Sequence, residues 1–265
     1  MKIPAPPGIF ALKKTFECGQ CFRFDQTAPN SYLGIALDRP IRLERFGDEL
    51  EISCGEDEYE TFWKDYFDMG SDYEAMSRTF GRDSYFQKAA EFGRGIRILR
   101  QDPWEALCSF IISQCNNIPR IKGIIARLCE LCGNPVDFEG SMLYSFPPAG
   151  RVASLSTDEL SFLRCGYRAG YIKAAAEAVR DGFIDRVADL PSDELRARLT
   201  EIRGVGTKVA DCALLFGFHR MEAFPQDVWI KREIKEKGID PRAFGEYAGL
   251  AQQYIFYYAR EGVRN

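Results

Sequence analysis

Hydrophobic residues near the N-terminus occur in short runs that turn-forming residues separate. Four of these runs have the length and composition of β-strands: 21–25, 32–37, 41–46 and 50–54. Dipeptides that favour turns lie between them: Pro29-Asn30, Arg39-Pro40 and Gly47-Asp48. The pattern therefore predicts a small antiparallel sheet.

From Tyr59 onward the spacing of hydrophobic residues is helical. Asn117 is typical of a helix N-cap and Gly133 of a helix end, and one apolar face lies between them: Ile118, Ile121, Ile124, Ile125, Leu128 and Leu131. The preceding stretch, 104–112, is apolar nearly all round, which predicts a central helix. We predict an α+β protein with an antiparallel β domain with short helices at 1–93 and a mostly helical domain at 94–265.

A helical hairpin is predicted at 192–217. Ser192 is a candidate N-cap of its first helix, and Gly204-Val205-Gly206 separates that helix from a second, apolar one. Glycines at both ends of the triplet permit positive φ angles and leave backbone N–H groups accessible in front of a helix N-terminus, where a phosphate binds favourably. A plain turn between two helices explains the triplet equally well.

Lys208 and Asp227 are the candidate catalytic residues. Lys208 falls in the first turn of the second helix, where the positive end of the helix dipole disfavours an ammonium ion, and a neutral lysine amine is a nucleophile that forms Schiff bases. Asp227 stands at an N-cap position, which by itself explains the residue. If the fold brings Asp227 to Lys208, its carboxylate can also stabilise positive charge or handle protons.

Composition narrows the classes of function. The 265 residues are 46% hydrophobic and 28% charged, with nine scattered cysteines, which is typical of a cytosolic protein with reduced thiols. No run of eighteen apolar residues and no signal-peptide pattern occurs, so we expect a cytoplasmic protein with no membrane partner. His219 is the only histidine, which excludes a histidine-rich metal site.

Charge is distributed unevenly along the chain, whose formal net charge is −4. Residues 1–93 carry 11 Lys and Arg against 17 Asp and Glu, whereas the remainder carries 24 against 22. Within the remainder, residues 94–127 carry six basic side chains against two acidic ones. Local positive potential of this kind can contact phosphates, although an ordinary solvated helix face is the alternative.

Seven sequence blocks resemble the helix-hairpin-helix (HhH-GPD) DNA glycosylases and, within that superfamily, the 8-oxoguanine DNA glycosylase/AP lyases, as a bacterial or archaeal member. The blocks stand in the family's order and span most of the chain: ECGQCFRF (17–24), RILRQDP (97–103), SFIISQCNNIPRI (109–121), LRCGYRAGYI (163–172), GVGTKVADC (204–212), PQDV (225–228) and AGLAQQYIF (248–256). The resemblance implies that duplex DNA binds in a cleft between the β domain and the helical domain.

The activity that the resemblance implies is removal of 8-oxoguanine from duplex DNA in base excision repair. Lys208 attacks C1′ after the base is flipped out, Asp227 supports that step, and the resulting Schiff base permits β-elimination as in an AP lyase. Two alternatives remain: a glycosylase for another oxidised or alkylated purine, and a non-catalytic structure-specific DNA-binding module. A pure binder needs neither Lys208 nor Asp227.

The resemblance also implies a base pocket and a set of DNA contacts. The Gly19 carbonyl accepts the N7–H of 8-oxoguanine, and Gln252 reads the Watson–Crick edge. Cys212 and Phe256 sandwich the base, and Gln252 and Phe256 are i,i+4 neighbours on one helix. Further positions are implied to contact the partner base, the gap left by the flipped base or the phosphates: Asn116, Arg120, Tyr167, Arg168, Gly204 and Gly206.

Two positions depart from the family pattern. Cys115 stands where an asparagine usually contacts the partner cytosine, so we expect a less strict preference for cytosine, with Asn116 as a partial substitute. Trp229 stands where animal and fungal members usually have histidine, so we expect different handling of the neighbouring phosphate.

Neither zinc nor an iron–sulfur cluster is expected. Cys18-x-x-Cys21 and Cys129-x-x-Cys132 look like halves of a zinc site, but the first pair lies in a strand-like segment and the second ends a buried helix. No cysteine follows Cys212, so the C-terminal ligand set of cluster-bearing relatives is missing.

The resemblance instead implies a structural K⁺ or Na⁺ held by the hairpin carbonyls of Thr200, Ile202 and Val205. No other cofactor is expected. The expected partner is double-stranded DNA containing 8-oxoguanine, bound by a monomer that is associated with the nucleoid through the DNA.

Overall fold

A five-stranded antiparallel sheet forms the N-terminal part of the fold in a computed structural model, which describes residues 1–81 and 83–262 apart from the side chain of residue 157. Its strands are β1 (Lys2–Pro4), β2 (Phe24–Ala28), β3 (Ser31–Ala36), β4 (Arg39–Phe46) and β5 (Glu49–Ile52). They pair in the order β1-β5-β4-β3-β2. Tyr32 lies opposite Leu43, and Leu43 lies opposite Ile52, so these buried side chains share the inner face.

The predicted antiparallel sheet is confirmed, with two differences. Strand β1 has only three residues, too few for a recognisable alternation. Strand β2 begins at Phe24 rather than at residue 21, because residues 18–23 form turns in which Gly19 has a φ of +81°. The buried Gln20 side chain holds this segment, donating to the Arg97 carbonyl at 2.7 Å and accepting from the Leu99 N–H at 2.9 Å. The first cysteine pair therefore lies in a turn segment and not in a strand.

Helices form most of the rest of the described chain. The α-helices are α1 (Leu12–Glu17), α2 (Glu56–Glu58), α3 (Lys64–Tyr66), α4 (Tyr73–Arg78), α5 (Ser84–Gly93), α6 (Pro103–Ser113), α7 (Ile118–Cys132), α8 (Ala149–Ser154), α9 (Thr157–Ser161), α10 (Arg168–Arg180), α11 (Phe183–Val187), α12 (Ser192–Thr200), α13 (Thr207–Phe216), α14 (Val228–Lys237) and α15 (Ala248–Tyr257). Tyr59–Trp63 and Tyr258–Gly262 are π-helical turns, and Pro241–Tyr247 is a 3₁₀ segment.

Helices α6 and α7 follow the sequence prediction closely. The Asn117 side chain caps α7 by accepting from the Arg120 N–H at 3.0 Å, and Gly133 ends the helix. Helix α6 is buried along almost its whole length. The β-hairpin of β6 (Pro135–Phe138) and β7 (Ser141–Tyr144) was not predicted, because its residues do not alternate regularly between buried and exposed positions.

Two hydrophobic cores organise the molecule. One lies between the sheet, α1 and the aromatic residues of 59–67, and the other surrounds α6 and α13. Helix α5 packs against α15, and a β-carbon on Gly93 would lie 2.4 Å from the Tyr254 ring. Helix α5 therefore belongs to the helical core, although the predicted domain division comes directly after it. Residues 263–265, at the end of the predicted second domain, lie outside the described residues.

No helix within the described ranges combines the length and the apolar character needed to cross a membrane.

Candidate active site and DNA-facing loops

The hairpin of α12 and α13 is held together by one ion-pair brace. Leu195 and Leu199 are fully buried on the inner face of α12. On its other side, Arg196 pairs with Asp193 and with Asp211 of α13, each at 2.6 Å. Burial raises the pKa of the Asp211 carboxyl, and the Arg196 guanidinium partly offsets this effect.

The turn between the two helices needs glycine at one position. Gly204 has a φ of +88°, and a β-carbon there would lie 2.1 Å from the Tyr171 ring. Gly206 has a φ of −91° and is extended, so of the two glycines only Gly204 uses the positive φ that glycine permits. Nothing lies within 4 Å of a β-carbon at Gly206, so this side of the turn is open for a ligand to approach.

Ser192 does not cap α12, contrary to the prediction. Pro191 is the N-cap residue, and Ser192 is the first residue of the helix. The Ser192 hydroxyl donates instead to the Glu222 carboxylate. The physical reason is a tertiary partner that competes with the local backbone for the same hydroxyl.

Lys208 lies in the first turn of α13, as predicted, and its amine points at α6. The Nζ atom donates to the Ser113 Oγ at 3.2 Å and lies 5.1 Å from the centre of the Phe110 ring. Ser113 donates its own proton to the Phe110 carbonyl at 2.8 Å, so its oxygen faces Lys208 as an acceptor. The amine is thus held half-buried between an aromatic face and a single hydroxyl.

The fold brings Lys208, Cys212 and Asp227 close together. Burial raises the pKa of the Cys212 thiol to about 11, whereas the charge and a hydrogen bond of Lys208 act in the opposite direction. The negative charge of Asp227 adds to the increase. Asp227 caps α14 as predicted, because its side chain accepts from the Ile230 N–H at 2.9 Å. The candidate nucleophile Lys208 and the helix-capping carboxylate of Asp227 therefore both lie near the Cys212 thiol.

The predicted base-binding residues also converge, although they come from opposite ends of the chain. A β-carbon on Gly19 would lie 3.6 Å from the Phe256 ring. Gln252 lies one turn before Phe256 on α15, is only 4% exposed, and accepts from the Gln253 amide at 2.8 Å. Three residues on another face of α15 lie in the core: Leu250, Tyr254 and Tyr257.

The residues predicted to contact the partner strand lie at the starts of α7 and α10 and in the loops before them. Cys115 is exposed in the loop before α7, and Arg120 is exposed in the first turn of that helix and reaches the Arg164 carbonyl at 3.5 Å. Tyr167 is 57% exposed at the start of α10, with the Arg168 guanidinium 4.5 Å from its ring centre. The Asn116 side chain bonds the Ile112 carbonyl at 3.1 Å.

Arg168 is placed differently from its neighbours. It is 4% exposed and donates to the carbonyls of Gln114 at 2.9 Å and Cys115 at 3.1 Å. Its contact with a partner base stays a prediction. In this structure the guanidinium supports the loop that carries Cys115 and Asn116.

The basic stretch at 94–127 does not form one phosphate-binding surface. Arg97 is 2% exposed, Arg100 pairs with Asp68 at 2.9 Å, and Lys122 pairs with Asp25 at 2.7 Å. These three cations bond to residues of the N-terminal part of the fold, whereas Arg94 and Arg120 remain exposed. Linear charge does not reveal which cations have internal partners.

Three contacts of the site were missed by sequence reasoning. Ser113 and Phe110 receive the Lys208 amine, and Gln114 donates to the Gly204 carbonyl at 3.0 Å. All three residues lie within the block at 109–121 that resembles the family, so the sequence indicated that this segment belongs to the site but did not indicate which residues contact it. The partners lie about ninety residues away.

Among the side chains of the described residues, no group of three or more His, Cys, Asp or Glu is placed so that it could hold a metal ion. All nine cysteines, which lie within the described ranges, carry free thiols. Thr200 ends α12, so its carbonyl is one of those that a helix terminus leaves without an intrahelical partner. The Ile202 carbonyl accepts from the Val205 N–H at 3.0 Å.

Two family models match consecutive parts of the chain. Residues 2–107 match the 8-oxoguanine DNA glycosylase, N-terminal domain, and residues 108–243 match the HhH-GPD superfamily base excision DNA repair protein. The Arabidopsis thaliana protein named N-glycosylase/DNA lyase OGG1 is 31% identical over 92% of this chain and 76% of its own length.

Solved structures agree with this assignment. MBOgg1 in complex with a low affinity DNA ligand has a TM-score of 0.93 and 39% identity, covering 99% of this chain and 96% of its own. The Clostridium acetobutylicum 8-oxoguanine glycosylase/lyase, solved with double-stranded DNA containing cytosine opposite 8-oxoguanine, has a TM-score of 0.91 and 35% identity, covering 96% and 93%.

The expectation of a bacterial or archaeal member is not borne out, because the relatives include a plant protein. The remaining identification is confirmed by the two family matches, which together span the hairpin, the lysine and the N-terminal sheet. The chain belongs to the HhH-GPD superfamily of base excision DNA repair proteins and, within it, to the 8-oxoguanine DNA glycosylases.

Proposed function

We propose that Lys208 is the nucleophile through which this chain, an 8-oxoguanine DNA glycosylase and AP lyase of base excision repair, separates the damaged base from its sugar. One observation carries this assignment. The Lys208 amine lies half-buried between the Ser113 hydroxyl and the Phe110 ring, and it shares a neighbour, the Cys212 thiol, with the Asp227 carboxylate. A half-buried amine with a carboxylate nearby suits a nucleophile at a functional site.

The reaction then follows from the groups in this pocket. The Lys208 amine attacks C1′ while the C1′–N9 bond breaks, and the base leaves with that electron pair and takes up a proton. Opening of the sugar ring gives an imine between Lys208 and C1′. Removal of a proton from C2′ expels the 3′ phosphate, which is the β-elimination of an AP lyase. The Asp227 carboxylate stabilises the positive charge that develops on the sugar.

The base pocket is proposed to consist of Gly19, Cys212, Gln252 and Phe256. The contact of Gly19 with Phe256 supports this set, because it closes a wall between the N-terminal turn and α15. Gln252 is buried one turn before Phe256, so its side-chain amide suits hydrogen bonding to the edge of a base beside that ring. Phe256 supplies a ring for stacking and Cys212 an opposing thiol.

Contacts to DNA are proposed for two loops and the hairpin. Tyr167 and Arg120 are exposed and suit a gap-filling ring and a donor to the partner base, with Asn116 between them. Arg168 takes part only if its guanidinium leaves the carbonyls of Gln114 and Cys115.

Gly204 and Gly206 are proposed to receive a backbone phosphate in front of α13. Trp229 stands where animal and fungal members usually have histidine. The centre of its ring lies 4.6 Å from the Arg232 guanidinium, so we propose that this aromatic–cation pair lies beside the next phosphate.

A K⁺ or Na⁺ ion is proposed to bind the carbonyls of Thr200, Ile202 and Val205. Carbonyl oxygens at a helix end are suitable ligands for a hard monovalent cation, and the Thr200 carbonyl lies in the last turn of α12. Such an ion would stabilise the turn that faces the phosphate. We further propose that the enzyme acts as a monomer in the cytoplasm, associated with the nucleoid through DNA.

Borohydride trapping tests the nucleophile. Wild-type protein incubated with duplex 8-oxoguanine DNA and borohydride should form a covalent complex, because the imine is reducible. Lys208→Gln should bind the same DNA and give no complex, whereas Lys88→Gln, at an exposed position on α5, should trap like the wild type. Efficient trapping by Lys208→Gln would show that another group is the nucleophile.

The two rival functions give different results in the same experiment. A non-catalytic binder would bind DNA and form no covalent complex in any variant. A glycosylase for another purine would trap on its own lesion and leave 8-oxoguanine intact. A panel of duplexes that carry oxidised and alkylated purines separates these cases.

A further inference from the structure

Arg260 lies against the proposed base pocket from the π-helical turn that follows α15. Its guanidinium is 5.3 Å from the centre of the Phe256 ring. A β-carbon on Gly19 would lie 3.8 Å from the Nη1 atom of Arg260 and 3.6 Å from the Phe256 ring. A fixed cation thus stands where the Gly19 turn meets Phe256.

The two ends of this guanidinium have different surroundings. Nη2 donates to the Glu261 carboxylate at 3.2 Å, and Nη1 is the atom directed at Gly19. The side chain is 23% exposed. Burial raises the pKa of the Cys18 thiol, next to Gly19, to about 12, and the Arg260 charge is among the effects that partly offset this. The Arg260 charge therefore affects the pKa of a buried group beside the Gly19 turn, although the guanidinium is also partly exposed to solvent.

The five-membered ring of 8-oxoguanine presents a donor and an acceptor side by side. N7 carries a proton, and O8 on the neighbouring carbon is a carbonyl oxygen. In guanine N7 is an acceptor and C8 carries only hydrogen. A backbone carbonyl beside a guanidinium is complementary to the oxidised edge, because the first accepts the N7–H and the second donates to O8.

We propose that Arg260 is a specificity-determining residue that donates from Nη1 to O8 of the flipped base, beside the Gly19 carbonyl. This inference rests on the proposed function and deepens it. When the C1′–N9 bond breaks, the electron pair remains on N9 and is shared with O8 through C8. A donor at O8 therefore stabilises the departing base more than the intact nucleoside, so Arg260 raises the rate of base removal and not only the affinity.

The proposal also predicts which lesions the enzyme accepts. Any purine-derived base with an N–H beside a carbonyl at this edge offers the same pair, whatever its Watson–Crick edge. Ring-opened formamidopyrimidine guanine has such a pair, so wild type should excise it, and Arg260→Met should slow that excision together with the excision of 8-oxoguanine. Unmodified guanine lacks the pair and should remain.

Arg260→Met and Arg260→Lys form a matched pair of variants. Methionine keeps apolar packing on Phe256 but has no donor, whereas lysine keeps a cationic donor. At saturating enzyme, we expect Arg260→Met to slow single-turnover excision of 8-oxoguanine by about tenfold or more. Arg260→Lys should retain most of the rate. A packing role predicts the reverse order, because methionine would then substitute well and lysine poorly.

Cleavage of a preformed abasic site provides the internal control. It needs Lys208 but contains no base, so both variants should cleave it at the wild-type rate. Arg242→Leu, at a side chain that is 91% exposed, should be unchanged in both assays. If Arg260→Met does not fold, as judged by its melting curve, Arg260→Gln is compared with Arg260→Lys, and the neutral variant must be slower.

Two results overturn the inference. One is excision by Arg260→Met within about threefold of wild type at saturating enzyme. The other is an equal loss of excision and abasic-site cleavage. A wild type that traps on abasic DNA but never removes 8-oxoguanine would instead overturn the proposed function, so the two failures are distinguishable.

Discussion

Cys115 carries an unusual backbone conformation in the loop between α6 and α7. Its φ is +47°, in the left-handed region, and its side chain is exposed. Asparagine adopts this region more readily than cysteine, because its short polar side chain hydrogen-bonds locally. Replacing Cys115 by asparagine therefore introduces an amide without straining the loop.

We expect Cys115→Asn to sharpen the preference for cytosine opposite 8-oxoguanine. An amide both donates to and accepts from a base edge, whereas a thiol is a weak donor and a poor acceptor. One added contact of this quality contributes roughly 1–3 kcal/mol to discrimination, or about one to two orders of magnitude in relative rate. Single-turnover excision opposite each of the four bases measures the effect.

Wild type should already act fastest opposite cytosine, because Arg120 is exposed and remains a donor to it. Unchanged ratios between the four bases in Cys115→Asn would mean that this position does not face the partner strand, or that Asn116 already makes the contact.

At the scale of elements, the hairpin and the loop after α6 are joined through Gln114. The side-chain amide of Gln114 donates to the Gly204 carbonyl at 3.0 Å, and its backbone carbonyl accepts from the Arg168 guanidinium at 2.9 Å. Tyr171, on the same helix as Arg168, packs on Gly204. The turn at Gly204 and the loop that contains Cys115 are therefore joined by these hydrogen bonds and by the packing of Tyr171.

Gln114→Met should loosen this unit. The substitution preserves length but leaves the Gly204 carbonyl without its donor, at a cost of about 1 kcal/mol in the free energy of unfolding. Affinity for duplex DNA should fall as well, because the turn and the loop are no longer held in register. Urea denaturation and DNA titration measure the two effects.

Gln26→Met is the matched control, because Gln26 also donates to a carbonyl but on the exposed surface of the sheet. It should change stability by less than about 0.5 kcal/mol. A Gln114→Met protein with wild-type DNA affinity would argue against coupling between the two elements.

For the whole molecule, Asp68 is one of the charges that join the N-terminal part of the fold to the helical part. It is 3% exposed and accepts from Ser71 and Tyr73, each at 2.8 Å. Arg100 donates to it at 2.9 Å, and His219, which follows α13, lies 3.5 Å away. Burial alone would raise the pKa of this carboxyl, but hydrogen bonds and the charge of His219 more than compensate, and the pKa falls to about 2.

The sign of the resulting pH dependence follows from this low pKa. Because the pKa in the folded protein lies below the value of about 3.9 for an unfolded chain, the ionised carboxyl stabilises the fold above about pH 4. This contribution is lost as the pH falls toward 2. We expect Asp68→Asn to lower the free energy of unfolding by about 2 kcal/mol at pH 7.

The difference between wild type and Asp68→Asn should shrink as the pH falls from 4 to 2, which chemical denaturation at several pH values can follow. Asp65→Asn is the control, because Asp65 also pairs with Arg100, at 3.4 Å, but is 77% exposed. Its loss should cost less than about 1 kcal/mol. A difference between wild type and Asp68→Asn that is constant from pH 7 to 2 would contradict the assignment.

Local rules were sufficient for much of this protein. Asn117 and Asp227 cap their helices by bonding a backbone N–H three residues ahead, so both caps could be predicted from neighbouring residues. The same holds for the turn at Gly204 and for Lys208 in the first turn after it. The family itself was evident from blocks of adjacent residues.

Only the tertiary structure decided which of these residues meet. Gly19 and Phe256 lie at opposite ends of the chain and come into contact because the segment after α1 packs with α15 in one core, which includes Cys18. Ser192 was predicted to cap a helix and donates to Glu222 instead. Arg168 was predicted to contact DNA, whereas in this structure it is buried and donates to the Gln114 carbonyl. A side chain's partner depends on which segments pack around it, and that packing is settled by burial across the whole chain. Spacing along the sequence carries no information about it.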